Sequence, residues 1–219
     1  MQGHFITFEG GDGAGKTTQI NRLKGRLESC NLKVRVTREP GGSAGAEKIR
    51  TMLLSGNAKE LGPRAEAMLF AAARADHVDS TIKPALDQGV WVLCDRFADS
   101  TRVYQSVDGV DLAYIDLLET ASNAGLRPDL TFLIDVPAKI GLSRVGARSV
   151  PEGDAEPDRF ENVDLSVYER RRAMYLKLAQ SEPERFVIVD GTQEPKAVEK
   201  SIWRAVQENF PEVVKSTVA

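Results

Sequence analysis

Gly10-Gly11-Asp12-Gly13-Ala14-Gly15-Lys16-Thr17 constrains this chain more than any other segment, because it satisfies G-x-x-x-x-G-K-[ST] between a strand pattern and a helix pattern. Phe5–Glu9 reads as the strand, and the residues from about Thr17 to Ser29 read as the helix. Glycines in such a turn let the backbone aim its N–H groups at phosphate oxygens. The helix beginning near Lys16 adds the partial positive charge of its N-terminus. Lys16 is placed to reach the outer phosphates of a nucleoside triphosphate, and the Thr17 hydroxyl to hold magnesium. Gly10 to Thr18 are therefore the expected triphosphate contacts.

Downstream, short apolar runs alternate with longer amphipathic stretches. Strands are expected at Leu32–Thr37, Val90–Cys94, Leu130–Asp135 and Phe186–Val189. Helical patterns cover Ala44–Leu54, Arg64–Gln88 with a break at Pro84, Asp111–Asn123, Ala138–Ala147, Leu165–Gln180 and Pro195–Asn209. Val90–Cys94 is apolar throughout, as expected of a strand buried on both faces. This alternation predicts an α/β domain with a parallel sheet covered on both sides. Right-handed crossovers then bring the C-terminal ends of the strands to one rim, where ligands bind. Ser149–Asp158, rich in Pro, Gly and acids, is an insertion between helices within one domain spanning 1–219.

At 219 residues and 42% apolar, the chain can bury a core without disulfides or a structural metal. Its 29 basic and 32 acidic residues nearly cancel, and the basic ones stand singly inside motifs. No nucleic-acid partner is expected from such a balance. Cys30 and Cys94, and likewise His4 and His77, lack metal-ligand spacing. So few cysteines suit a reducing compartment. No leader pattern precedes the first strand and no apolar run approaches spanning length, so a cytoplasmic protein without a membrane partner is expected.

The cradle implies nucleotide binding and leaves three classes: a small-molecule kinase, a GTPase switch, or the ATPase module of a larger machine. No N-K-x-D guanine reader follows on a later strand, and the chain is short for a motor. A kinase needs an acceptor site, which the segment Asp95 to Gln105 offers. Asp95 and Arg96 fall on the ligand rim. An acid there can orient magnesium or the attacking group, and an Arg can neutralise a phosphate by a forked contact. The alternative is an Asp capping the next helix beside a solvated Arg. Asp135 ends another strand on the same rim and competes for the metal. Phe70 and Arg74, four residues apart, share one helical face. Phe70 alone reads as core, while Arg74 after three alanines requires a polar or anionic partner.

The segment after the third strand resembles the signature of the bacterial thymidylate kinase family, which phosphorylates dTMP to dTDP with ATP. That signature, D-R-x-x-x-S-[ST]-x-A-Y-Q, is met at Asp95, Arg96, Ser100, Thr101, Tyr104 and Gln105, with a departure at Val103. The likeness extends through Phe8-Glu9-Gly10, Thr37-Arg38-Glu39-Pro40-Gly41-Gly42, Pro128-Asp129-Leu130 and Leu142-Ser143-Arg144. It implies a P-loop NTPase fold of three αβα layers with a five-stranded parallel sheet, ATP with Mg2+, and a homodimer. It also implies that Phe70 stacks on thymine and that Arg74, Thr101 and Gln105 read the base. Tyr104 would pack on the sugar, Arg50 and Arg96 clamp the monophosphate, and Glu39 and Asp12 face the sugar or the water shell of the metal.

Some members of that family carry an arginine in the cradle at the position of Gly13. Glycine here implies the type whose catalytic arginines lie in a lid, approximately residues 148–160, and Arg144, Arg148 and Arg159 flank that insertion. A solvated surface loop is the alternative, which Glu152, Asp154 and Glu156 suit. The resemblance makes Lys16, Asp95, Arg96, Arg148 and Arg159 the expected catalytic group and Arg144 a nucleotide contact. Thr17 and Asp95 are the expected metal ligands. The competing readings are a kinase for another nucleoside monophosphate or deoxynucleoside, and a nucleotide-binding module without turnover.

Overall fold

The computed structural model describes residues 2–148 and 164–215. Among them, β1 (Phe5–Glu9), β2 (Val34–Arg38), β3 (Trp91–Asp95), β4 (Leu130–Asp135) and β5 (Phe186–Asp190) form one parallel sheet. The strand order is β2-β3-β1-β4-β5. Position in the sheet explains how each strand reads in sequence. β1 is central and buried at every residue, while β3 and β4 beside it are buried up to their last residue. Strands covered on both faces need no polar alternation, so these three appear as continuous apolar runs. Their two buried hydroxyls, Thr7 and Thr131, satisfy each other across the β1–β4 pairing at 2.8 Å. The edge strand β2 instead exposes Arg35, Val36 and Arg38.

Side chains alternate along β1, so Ile6 and Phe8 serve one face of the sheet and Phe5, Thr7 and Glu9 the other. The first face is covered by α1 (Lys16–Ser29) and α9 (Pro195–Asn209), which bring Ile20, Leu23, Leu27, Val198, Ile202 and Val206. The second carries α3 (Pro63–His77), α4 (Lys83–Asp87), α5 (Ala98–Val107) and α8 (Leu165–Ser181). α2 (Ala44–Leu54) and α6 (Leu112–Asn123) pack against α3, and α7 (Ala138–Arg148) against α8. A short α10 (Glu212–Lys215) closes onto α9. The result is the expected three-layer α/β architecture.

Two features differ from the sequence expectation. The helix expected over Arg64–Gln88 is α3, a π-helical turn at Val78–Ile82, and α4. Pro84 does not break it. It sits in the first turn of α4, where a missing N–H is harmless, and the wider turn before it makes room for the ring. α5, which carries the signature, is not among the helices expected from the sequence, and Asp99, Thr101 and Gln105 are buried in it beside Val103 and Tyr104. The insertion expected at Ser149–Asp158, together with Arg159 and the side chain of Arg148, lies outside the described residues.

Candidate active site

The loops after β1, β2, β3 and β4 meet on one rim. The first is the cradle, in which Gly10, Gly13 and Gly15 have φ of 131°, 75° and 97°, a region that side-chain-bearing residues avoid. Gly13 is fixed sterically as well: a Cβ there would overlap the carbonyl oxygen of Gly141 on α7. Lys16 is buried, and its ammonium donates to the carbonyls of Gly10 at 3.0 Å and Gly11 at 3.1 Å. Burial, then the nearby charge of Arg96, holds its pKa below the ordinary lysine value. Arg144 Nη1 donates to the Gly191 carbonyl at 3.0 Å and reaches that of Gly13 at 3.5 Å.

The Thr17 hydroxyl at the start of α1 donates to Asp95 Oδ2 at the end of β3, 3.0 Å away. Asp135, the rival acid, is held in a forked pair by Arg172 at 2.7 and 2.9 Å. The pair of oxygen groups next to the cradle is thus Thr17 with Asp95, the hard-donor chemistry that suits a divalent cation.

Arg96 follows at once, with φ of 71°. Its Nη2 donates to Asp12 Oδ1 at 2.6 Å, and its Nη1 to Ser100 at 3.1 Å and Tyr175 at 3.2 Å. Tyr104 donates to the other oxygen of Asp12 at 3.3 Å. Burial alone would raise the pKa of Asp12, but the charges of Arg96 and Lys16 outweigh it and keep the carboxyl below its ordinary range. The guanidiniums of Arg96 and Arg171 lie 5.0 and 4.1 Å from the Tyr104 ring centre, a doubled cation–π contact. Burial raises the Tyr104 hydroxyl well above its usual value, so it stays a neutral donor.

The remaining expected acceptor-side residues gather between α3, α5 and the loop after β2. Arg74 is 2% exposed and donates to Glu39 at 2.8 Å and Thr101 at 2.7 Å. Its guanidinium also stacks over Phe97. Glu39 additionally pairs with His77 at 3.0 Å, so its carboxylate is engaged by two nitrogen partners. Gln105 is 2% exposed, and its amide nitrogen has no hydrogen-bond partner among the described residues. Phe70, one turn before Arg74, is half-buried and outside the fully buried core. Arg50 donates to the Pro40 carbonyl at 2.6 Å.

Four residues of the site escaped sequence reasoning: Glu9, Arg171, Arg172 and Tyr175. The last three share α8 at consecutive or i,i+4 positions, and the run Arg170-Arg171-Arg172 was the available signal. Glu9 is fully buried, and burial followed by repulsion from Asp99 pushes its carboxyl up to about 7.

A lysine-bearing glycine turn after the central strand, facing an arginine-rich acceptor side across the same rim, is the construction of a P-loop nucleotide kinase. A family model described as thymidylate kinase matches residues 8–202. A thymidylate kinase from Bradyrhizobium diazoefficiens is 48% identical over 219 residues, covering all of this chain and 95% of its own. One from Afipia carboxidovorans is 51% identical over 207 residues, 94% of this chain and 90% of its own. The crystal structure of thymidylate kinase from Ehrlichia chaffeensis superposes with a TM-score of 0.76 at 32% identity, over 94% of this chain and all of that one. The chain belongs to the thymidylate kinase family.

Proposed function

We propose that this protein transfers the γ-phosphoryl group of ATP to dTMP, yielding dTDP and ADP on the route to dTTP. The observation that carries the choice of acceptor is the buried polar set Arg74, Thr101 and Gln105, in which the Gln105 amide nitrogen has no partner among the described residues. Buried polar groups are normally paired. A pyrimidine carbonyl entering beside Arg74 would supply that partner, with Phe70 stacking on the ring and Tyr104 against the sugar. Glu39 acts through Arg74, holding its guanidinium in place.

Phosphoryl transfer needs in-line alignment and charge neutralisation more than covalent help. The dTMP phosphate oxygen bonds to the γ-phosphorus as the bond to the β–γ bridging oxygen breaks, and ADP leaves. Two anions approach, so cations must stand between them. Lys16 serves the donor, while Arg96 and Arg50 serve the acceptor phosphate. Thr17 and Asp95 would hold Mg2+, which supplies charge neutralisation at the β- and γ-phosphate oxygens. Asp12 fixes Arg96 and takes the Tyr104 hydroxyl, which supports a place for it beside the sugar. The cradle residues Gly10 to Thr18 bind the triphosphate, and Arg144 lies against the Gly13 carbonyl at their edge. The family resemblance assigns a lid to approximately residues 148–160 within the single domain, and gives Arg148 and Arg159 the charge that Gly13 lacks.

The same reading includes a cytoplasmic homodimer. Among the described residues no helix is long and apolar enough to cross a membrane. Exposed Met68 on α3 and Leu112 and Leu117 on α6, two helices that pack together, support an apolar contact surface. The test of the activity is chromatographic detection of dTDP from dTMP and ATP with Mg2+. Formation of dTDP that stops on chelation is expected, and ATP turnover without dTDP would overturn the proposal.

A further inference from the structure

We propose that Glu9 is the positioning residue for Arg96, holding both the backbone turn that carries it and the two hydroxyls that receive its guanidinium. The inference rests on the reading of Arg96 as the clamp on the acceptor phosphate.

Glu9 ends β1 on the side of the sheet that faces α5 and α8, and none of it is exposed. A carboxylate so placed is costly unless each oxygen is bonded. Oε1 accepts the Phe97 N–H at 2.7 Å, and Oε2 accepts the Ser100 and Tyr175 hydroxyls at 2.7 and 3.0 Å. Those same two hydroxyl oxygens accept from Arg96 Nη1. A hydroxyl has a single hydrogen, and once it is given to the carboxylate only lone pairs are left for the cation. With Glu9 ionised the relay runs from guanidinium to hydroxyls to carboxylate, and the Ser100 and Tyr175 hydroxyls, 2.9 Å apart, also bond each other with either as donor.

The backbone argument is independent. Arg96 holds a left-handed conformation that a side-chain-bearing residue avoids, so its neighbours must fix it. Its N–H donates to the Phe8 carbonyl at 3.0 Å, and its carbonyl accepts from the buried Cys94 thiol at 3.0 Å. The peptide N–H of the next residue goes to Glu9. Phe97 is the N-cap of α5 and supplies no capping side chain, so the Glu9 carboxylate occupies the anion position at that helix N-terminus. Asp12 touches only the other guanidinium nitrogen. Without Glu9, Arg96 keeps its tether on the cradle side and loses the one beneath it.

The test is Glu9→Gln in the full chain, alone and combined with Arg96→Ala. The single variant should lower kcat/KM for dTMP on the order of ten- to hundred-fold, the usual effect of removing an outer partner of a functional group. Its KM for ATP should stay close to that of the parent. In the Arg96→Ala background the further loss should be less than about twofold, because residues acting through one another are not additive. An equal loss in both backgrounds overturns the proposal while leaving the clamp reading intact. An Arg96→Ala enzyme with unchanged kcat/KM overturns the clamp reading and the role of Glu9 with it. Should Glu9→Gln fail to fold, Ser100→Ala with Tyr175→Phe keeps Glu9 and interrupts the same relay. The same loss and the same non-additivity with Arg96→Ala are expected there, and additivity would overturn the proposal.

Discussion

The carbonyl oxygen of Gly141 on α7 occupies the space into which any side chain at Gly13 would project. The cradle therefore has no room for an arginine at position 13 in this protein, and an arginine's charge at the transition state would have to come from elsewhere. Gly13→Ala should show this directly. A left-handed residue with a Cβ costs about 1–2 kcal/mol before the overlap is counted. That predicts a melting temperature lower by at least about 2–8 °C for a domain of this size, together with weaker ATP binding. An unchanged melting temperature would contradict the contact.

The arginines at the lid edges are the proposed source of that charge. Arg148→Ala and Arg159→Ala should lower kcat far more than they raise the KM for dTMP, each by roughly 2.7–4 kcal/mol if the contact forms only in the transition state. Steady-state kinetics with dTMP varied at saturating ATP separates the two parameters. Unchanged turnover in both variants would remove the lid arginines from the mechanism.

Glu39 and Arg74 form a buried pair, 6% and 2% exposed at the side chain. Removing one partner of such a pair leaves an uncompensated buried charge, typically at a cost of about 3–5 kcal/mol. Glu39→Gln is accordingly predicted to lower the melting temperature by roughly 6–20 °C and to raise the KM for dTMP. A variant that melts normally but loses dTMP affinity would mean that Glu39 touches the substrate itself.

What the sequence revealed and what it hid follow from burial. β1, β3 and β4 were legible because both of their faces are covered, and the cradle because its glycines are demanded by backbone geometry. α5 was not, since its inward side is built from Asp99, Thr101 and Gln105 as well as Val103 and Tyr104. Nothing at position 9 distinguishes a carboxylate at a strand end facing water from one facing three hydrogen-bond donors. Its partners Phe97, Ser100 and Tyr175 lie 88, 91 and 166 residues away. The helical break expected at Pro84 failed because a π turn absorbs the ring.

His4 ties β1 to the C-terminal helix, with Nε2 2.8 Å from Glu212 and Nδ1 3.5 Å from Asp129. The neighbouring carboxylates, Asp129 first and then Glu212, outweigh burial and raise its pKa above 6.5. The folded state thus favours the protonated ring. Its contribution is fully present below about pH 6.5 and is lost as pH rises through the folded value. The melting-temperature gap between the parent and His4→Gln should be widest near about pH 6 and should narrow towards about pH 8.5. A gap that widens with pH would contradict the sign.

The central claim is that the site joins an ATP cradle to a pyrimidine monophosphate pocket. The most direct test is ADP production from ATP and Mg2+ with dTMP, dUMP, dCMP, AMP and GMP, compared as kcat/KM. The predicted result is the highest value for dTMP, with AMP and GMP at least about a hundredfold lower, because a site built on hydrogen bonds rejects partners that leave them unpaired. A preference for either purine would contradict it.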